Sequence, residues 1–309
     1  MAPGAPAHWP VKVAEEVAAA IRRGGPVVVL ETSIVAQGLP APYNLDAAFG
    51  CERAIRSAGA IPATVAVLDG ALRVGLDEAD IRRLAESGEA VKVSARDLGA
   101  AVALGRMGAT TVAATVRAAG LAGIHFMATG GIGGVHLGHP EDVSADLYEL
   151  ARSPVAVFCA GAKTVLDIGL TMELLESYAV PVLGWQTEDL PGFYLARTGH
   201  PVSASVGGPD EAARVLRASW GVGLHGVVVA VPPPGELPDA AQLVARAISE
   251  VGEVSGSALT PRLLARVAEL SGGRSLQLNV DLVINNARAA AETAVAFARL
   301  SGAGAGPTT

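Results

Sequence analysis

Apolar and polar positions along the chain switch repeatedly between two periods. Val27-Val28-Val29-Leu30 is an unbroken apolar run of the kind buried on both faces of a sheet. Before it, Val11 to Arg23 carries apolar residues at helical spacing and stops at Gly24-Gly25-Pro26. Downstream, Asn44 is placed to cap a helix to Ser57, Gly59 and Pro62 frame a strand from Thr64 to Leu68, and Asp69-Gly70 marks a hairpin into Leu72 to Val74. A helix from Asp77 to Ser87 precedes a short strand, Val91-Lys92-Val93, after which Ser94 and Asp97 have capping-box spacing for a helix through Met107. Further strands are read at Ile124 to Ala128, Val155 to Cys159, Val180 to Gly184 and Gly226 to Val231. Helical stretches lie between them at Leu147 to Arg152, Thr164 to Leu170 and Asp210 to Trp220. Beyond Pro232-Pro233-Pro234-Gly235 the pattern turns almost wholly helical, with helices at Pro261 to Leu270 and after Ser275.

Strands alternating with helices predict a three-layer α/β/α fold around a largely parallel or mixed sheet. No internal repeat or separating linker interrupts the pattern. The expected organisation is one α/β catalytic domain over 11–302, with disordered tails at 1–10 and 303–309. Composition narrows the class without changing this picture. The 309 residues are 50% hydrophobic and 17% charged, enough for a large core, and no apolar run is long enough to span a bilayer. A net charge of -7 with no basic block argues against a nucleic-acid surface. Cys51 and Cys159 fall in a helix and a strand and are read as buried thiols. Met1 to Pro10 lacks the basic and apolar regions of a secretory signal, so a cytoplasmic protein is expected.

Candidate chemistry gathers between Thr129 and Lys163. Gly130, Gly131, Gly133 and Gly134 follow a strand, where backbone N–H groups are able to turn together towards an anion. A dinucleotide fingerprint does not fit, because His136 stands where the third glycine is required. Asp142, Ser144 and Asp146 precede a helix and suit either capping or a hard cation such as Mg²⁺ or Mn²⁺. Lys163 follows the apolar strand and the loop Ala160-Gly161-Ala162, at the end of the sheet where open α/β folds bind ligands, as a nucleophile towards a carbonyl must. Glu31, delivered directly by the first apolar strand, is placed like a catalytic acid. Lys92 is a second cation beside the same sheet edge, and of Asn285-Asn286 on the last helix at most one faces a given site.

Several of these stretches also resemble one family. L-E-T-S-I-V-A-Q-G-L-P, G-A-T-T-V-A-A-T, T-G-G-I-G-G-V-H, V-S-A-D-L, C-A-G-A-K-T-V-L-D-I-G-L and N-N-A occur in order between about Val27 and Ala291. With them the chain resembles the pseudouridine-5'-phosphate glycosidase family, also called indigoidine-synthase-A-like. The resemblance implies an α/β/α fold, a homotrimer, one Mn²⁺ per subunit, and reversible conversion of pseudouridine 5'-phosphate into uracil and ribose 5-phosphate. By matched motif it implies Glu31 as proton donor, Lys163 as nucleophile and Asp142 as metal ligand. Substrate contacts are implied for Lys92, Val112, Ser144, Ala145 and Asp146, and an approach to the base for Asn286.

The residue types suit that chemistry. A C–C glycosidic bond has no leaving heteroatom to protonate, so an imine at Lys163 serves as electron sink while Glu31 supplies the proton the departing base needs. His136 and the glycine amides are phosphate partners on this reading. Three positions depart from the family pattern: Glu31-Thr32-Ser33 replaces E-S-T, Gln37 stands for a histidine, and Leu137 stands for an arginine in a shortened loop. Two other functions remain open, a C-ribosylating synthase that joins ribose 5-phosphate to another aromatic acceptor and a non-catalytic sugar-phosphate binding protein.

Overall fold

The unbroken apolar runs form the middle of a mixed sheet. In the computed structural model, which describes residues 11–251 and 259–303, eleven strands share this sheet. Its main path runs Val11–Val13, Ala71–Val74, Ile61–Leu68, Val27–Leu30, Phe126–Ala128, Ala156–Cys159, Val227–Ala230, Val182–Trp185 and Ala204–Val206. From Ile61–Leu68 to Ala204–Val206 every neighbouring pair is parallel. Antiparallel pairing enters at one end, where Ile61–Leu68 takes Ala71–Val74 on one edge and Gly108–Thr110 beside it. Val91–Val93 pairs with Gly108–Thr110 in parallel. This is the largely parallel sheet expected of alternating strands and helices, flanked by helices.

The helix Arg274–Ala303 packs against the helices Tyr43–Ser57 and Pro209–Gly221 and against the central strands. Phe126, Trp220 and Phe297 fasten it to the sheet, with ring centroids 5.2 to 6.0 Å apart and edge-on. Cys51 and Cys159 are both free and buried, as their apolar contexts predict.

Four local expectations are corrected. Val11–Val13 is not the first turn of a helix but an edge strand paired with Leu72 to Val74, and the helix begins only at Glu15. Asn44 lies inside the helix Tyr43–Ser57, where its side-chain Nδ2 donates to the carbonyl of Val35 at 3.1 Å instead of capping. The Ser94–Asp97 capping box forms, yet the helix it introduces ends at Ala103, not Met107. Helix does not follow Lys163 directly, because Leu166–Asp167 is drawn into a small antiparallel sheet with Val135–His136 and His139–Val143. The helix starts at Ile168, capped by Asp167, whose Oδ1 accepts from the Leu170 amide at 2.9 Å. At the chain ends, the expected tail at 1–10 and residues 304–309 lie outside the described residues, and the last helix continues to Ala303.

Candidate active site

Val27–Leu30, Phe126–Ala128 and Ala156–Cys159 are adjacent and parallel, so their carboxyl ends open on the same side. They deliver Glu31, Thr129 and the loop to Lys163 to one cavity of about 440 Å³. Glu31 is only 7% exposed. Its two carboxylate oxygens accept from the hydroxyls of Ser33 and Thr129. The exchanged order of Thr32 and Ser33 then has a physical reading. Thr32 turns inward, donating to the carbonyl of Val65 at 2.8 Å and accepting from the Thr110 amide at 2.9 Å, while Ser33 is the hydroxyl that serves the acid.

The Lys163 loop is tied to the glycine turn through the backbone. The Lys163 amide donates to the carbonyl of Ile132, and the Ile132 amide donates to the carbonyl of Gly161, both at 3.1 Å. Gly161 has φ +82, and a Cβ there would stand 1.9 Å from the carbonyl oxygen of Pro191, so only glycine fits. Lys92 reaches the same cavity from Val91–Val93. Burial holds its ammonium below the usual 10.5, and the positive charge of Lys163 acts in the same direction, against the pull of Asp146 and Glu31.

Asp146 serves the scaffold. Its Oδ1 accepts from the Ala113 amide at 2.9 Å and its Oδ2 from the Gly133 amide at 2.8 Å, so one buried carboxylate joins the start of the helix Val112–Ala122 to the glycine turn. Gly133 must be glycine for this closeness, since a Cβ would fall 2.3 Å from the Ser144 hydroxyl. Ser144 caps the helix Ala145–Leu150, accepting from the Asp146 amide. The glycine run is therefore not an open ring of amides, because those of Ile132 and Gly133 are already engaged. Val112, Ser144, Ala145 and Asp146 all still line the cavity.

Asp142 and His136 stand together on another wall. His136 is buried, with Nδ1 3.3 Å from Asp142 Oδ2 and 3.1 Å from the Asp142 carbonyl, while the Asp142 side chain is 33% exposed. Among the described residues no three His, Cys, Asp or Glu side chains form a metal cluster. One accessible carboxylate fits a hard cation that keeps most of its waters, and does not fit a cage built wholly of protein ligands.

Asn286 does not line the cavity. Fully buried, it donates from Nδ2 to the carbonyls of Thr129 at 2.8 Å and Gly130 at 3.3 Å, holding the glycine turn from behind. Gln37, the position that departs from the family's histidine, also lines the cavity, and so do Arg96, Phe193 and Asn279, which carry no motif-level signal. Gln37 sits in a π-helical turn, Ile34–Gly38, and its Nε2 donates to the carbonyl of Ala90 at 2.5 Å. Phe193 adopts φ +67, a left-handed conformation uncommon for an aromatic residue, and lays its ring against Gly130 and Gly131. Asn279 stands seven residues before Asn286, two helical turns along the same face, and that spacing is the one signal from which it was findable. Leu137 is exposed at the turn between Val135–His136 and His139–Val143 and is not a lining residue.

A family model described as indigoidine synthase A like protein matches residues 16–296. The chain belongs to the indigoidine synthase A-like family. Within it, the chain is 46% identical to the pseudouridine-5'-phosphate glycosidase of Alkaliphilus metalliredigens over 94% of this chain and 98% of the relative. The glycosidase of Escherichia coli K12 is 46% identical over 94% and 97%, and that of Myxococcus xanthus 48% over 94% and 99%. Among solved structures, the prealnumycin C-glycosynthase AlnA in complex with ribulose 5-phosphate superposes with a TM-score of 0.87 at 35% identity, covering 96% of this chain and all of that one. An indigoidine synthase A-like protein from Thermotoga maritima also gives 0.87, at 30% identity. The family fold and the sheet described above are thus the same.

Proposed function

We propose that this protein cleaves the C–C glycosidic bond of pseudouridine 5'-phosphate reversibly, giving uracil and ribose 5-phosphate. The observation that carries the reading is the convergence of Glu31 and Lys163 on one cavity, in a chain 46–48% identical to glycosidases of that name. Lys163 Nζ attacks C1' of the ribose, the C1'–O4' bond breaks, and O4' takes a proton. The nitrogen lone pair then forms the C1'=N bond as the bond from C1' to C5 of the base breaks, and the proton on C5 comes from Glu31. Water returns the imine to amine and aldehyde. Ser33 and Thr129 orient the acid, and their hydroxyls stabilise the carboxylate left after the proton departs.

Arg96 and Lys92 bring positive charge to the cavity for the phosphate and sugar. A Mn²⁺ held by Asp142 and water would neutralise substrate oxygens as a Lewis acid. On the family pattern we take the working unit to be a homotrimer in the cytoplasm. No helix among the described residues is long and apolar enough to cross a membrane.

A second reading, bond formation between ribose 5-phosphate and another aromatic acceptor, draws on the likeness to AlnA. The higher identity to the glycosidases favours cleavage. The deciding experiment incubates purified protein with Mn²⁺ and pseudouridine 5'-phosphate and follows free uracil by chromatography. Release that needs Lys163 is expected; an inert protein under these conditions would sink the reading.

A further inference from the structure

The side chains that line the cavity are of two kinds. Lys92, Lys163, Arg96, Asp97 and Asp142 are charged, with His136 beside Asp142. Ile34, Leu39, Phe193, Pro261 and Leu264 are apolar, and of the two amides that line the cavity with them Gln37 is spent, its Nε2 on the carbonyl of Ala90 and its Oε1 sealed, which leaves Asn279. A phosphorylated sugar belongs with the charged groups, which leaves the apolar ones for a flat, neutral heterocycle. Asn279 is 6% exposed, and its Nδ2 donates to the hydroxyl of Tyr194 at 3.0 Å. Tyr194 is itself completely buried and interacts with Ser275 as well, so the amide plane is fixed by a side chain that has no freedom to move. Asn279 Oδ1 accepts no hydrogen bond among the described residues, and it is absent from the polar atoms that are sealed without a partner. It therefore keeps access to solvent, in a residue that lines the cavity, beside the second proton of Nδ2.

We propose that Asn279 reads the imide edge of the base, with Oδ1 accepting the ring N–H and Nδ2 donating to the neighbouring carbonyl. A carboxamide presents acceptor and donor side by side, the pattern that pairs with an N–H beside a C=O. Asn286, the residue the sequence motif points to, has both its amide protons on backbone carbonyls and its Oδ1 sealed, so it cannot make this pair without releasing the glycine turn. The assignment rests on the reading of the cavity as a pseudouridine 5'-phosphate site, and it adds a specificity residue to it.

The test measures uracil binding by calorimetry in the presence of ribose 5-phosphate, for the wild type, Asn279→Ala and Asn279→Asp. Asn279→Asp keeps the size of the side chain but loses the donor. Both variants are expected to bind uracil on the order of ten- to a hundredfold more weakly, as loss of one bidentate pair implies. N3-methyluracil should bind the wild type poorly and lose that disadvantage in Asn279→Ala. Borohydride trapping of ribose 5-phosphate at Lys163 should stay near wild type, while Asn279→Ala melts somewhat lower because the buried Tyr194 hydroxyl loses one partner. Unchanged uracil affinity in both variants, with uracil release intact, overturns the role of Asn279 alone. Parallel loss of trapping and uracil binding also overturns it, since Asn279 would then be a support for the fold. A wild type that neither binds uracil nor releases it overturns this assignment together with the proposed function.

Discussion

Asn286 Nδ2 donates to the carbonyl of Thr129 at 2.8 Å, and the hydroxyl of the same threonine donates to Glu31. The last helix therefore holds the residue that orients the acid, although 157 positions separate the two in sequence. Asn286→Ala would remove the side-chain donor from the buried carbonyl of Thr129, while the carbonyl of Gly130 keeps the Ala160 amide at 2.8 Å. A loss of about 2–3 kcal/mol in unfolding free energy is expected. The turnover number should fall while uracil affinity changes little. Denaturant titration and steady-state kinetics check both, and a variant of wild-type stability would show that the turn needs no support from this helix.

Asp146→Asn tests the clamp between the glycine turn and the helix Val112–Ala122. Each carboxylate oxygen accepts one backbone amide, so an amide group in its place sets N–H against N–H at Gly133 or at Ala113. About 1.5–3 kcal/mol of stability should be lost for the charge-assisted bond removed. Thermal melting at neutral pH measures it. Equal melting temperatures would mean that the turn is held elsewhere.

Glu31→Gln keeps the side-chain shape and an acceptor for one hydroxyl, but turns a donor towards the other and removes the transferable proton. Uracil release should fall by about a hundredfold or more, while borohydride still traps ribose 5-phosphate on Lys163, as mapped by mass spectrometry. Loss of both steps would place Glu31 earlier, in ring opening.

Lys92→Met should raise stability slightly near neutral pH and lower activity at least tenfold. The folded state holds Lys92 below the usual 10.5, so the unfolded chain binds that proton more tightly. Wild-type stability consequently rises with pH between the folded value and 10.5, a small effect because Lys92 keeps contact with solvent on its strand. In Lys92→Met this rise should vanish. Urea midpoints at pH 7 and 9.5 for both proteins decide it, and identical slopes would remove Lys92 as the source.

Most of the fold is legible in the sequence because buried parallel strands leave unbroken apolar runs, as Val27–Leu30 and Ala156–Cys159 do. Val11–Val13 and Leu166–Asp167 were not, because a strand of two or three residues carries no period and is defined only by its partner. At the site, Glu31 and Lys163 announce themselves as charges at the ends of apolar strands. Asp146 was ambiguous between cap, ligand and substrate contact, and only the positions of the Gly133 and Ala113 amides separate those roles. Phe193 gave no signal and Asn279 only its spacing from Asn286, since an aromatic in a loop and an amide in a helix become site residues only through long-range packing.

The two hydrogen bonds between Ile132 and the Lys163 loop make the Lys163 backbone an extension of the sheet rather than a free loop. Local opening of that loop would have to break pairing that begins in the core strands, so its free energy should approach that of global unfolding. The Lys163 and Ile132 amides should then exchange with deuterium as slowly as those of Val157 and Phe158. A chain built this way keeps the backbone of Lys163 registered to the strand that carries Glu31, and leaves motion to the substrate and the side chains.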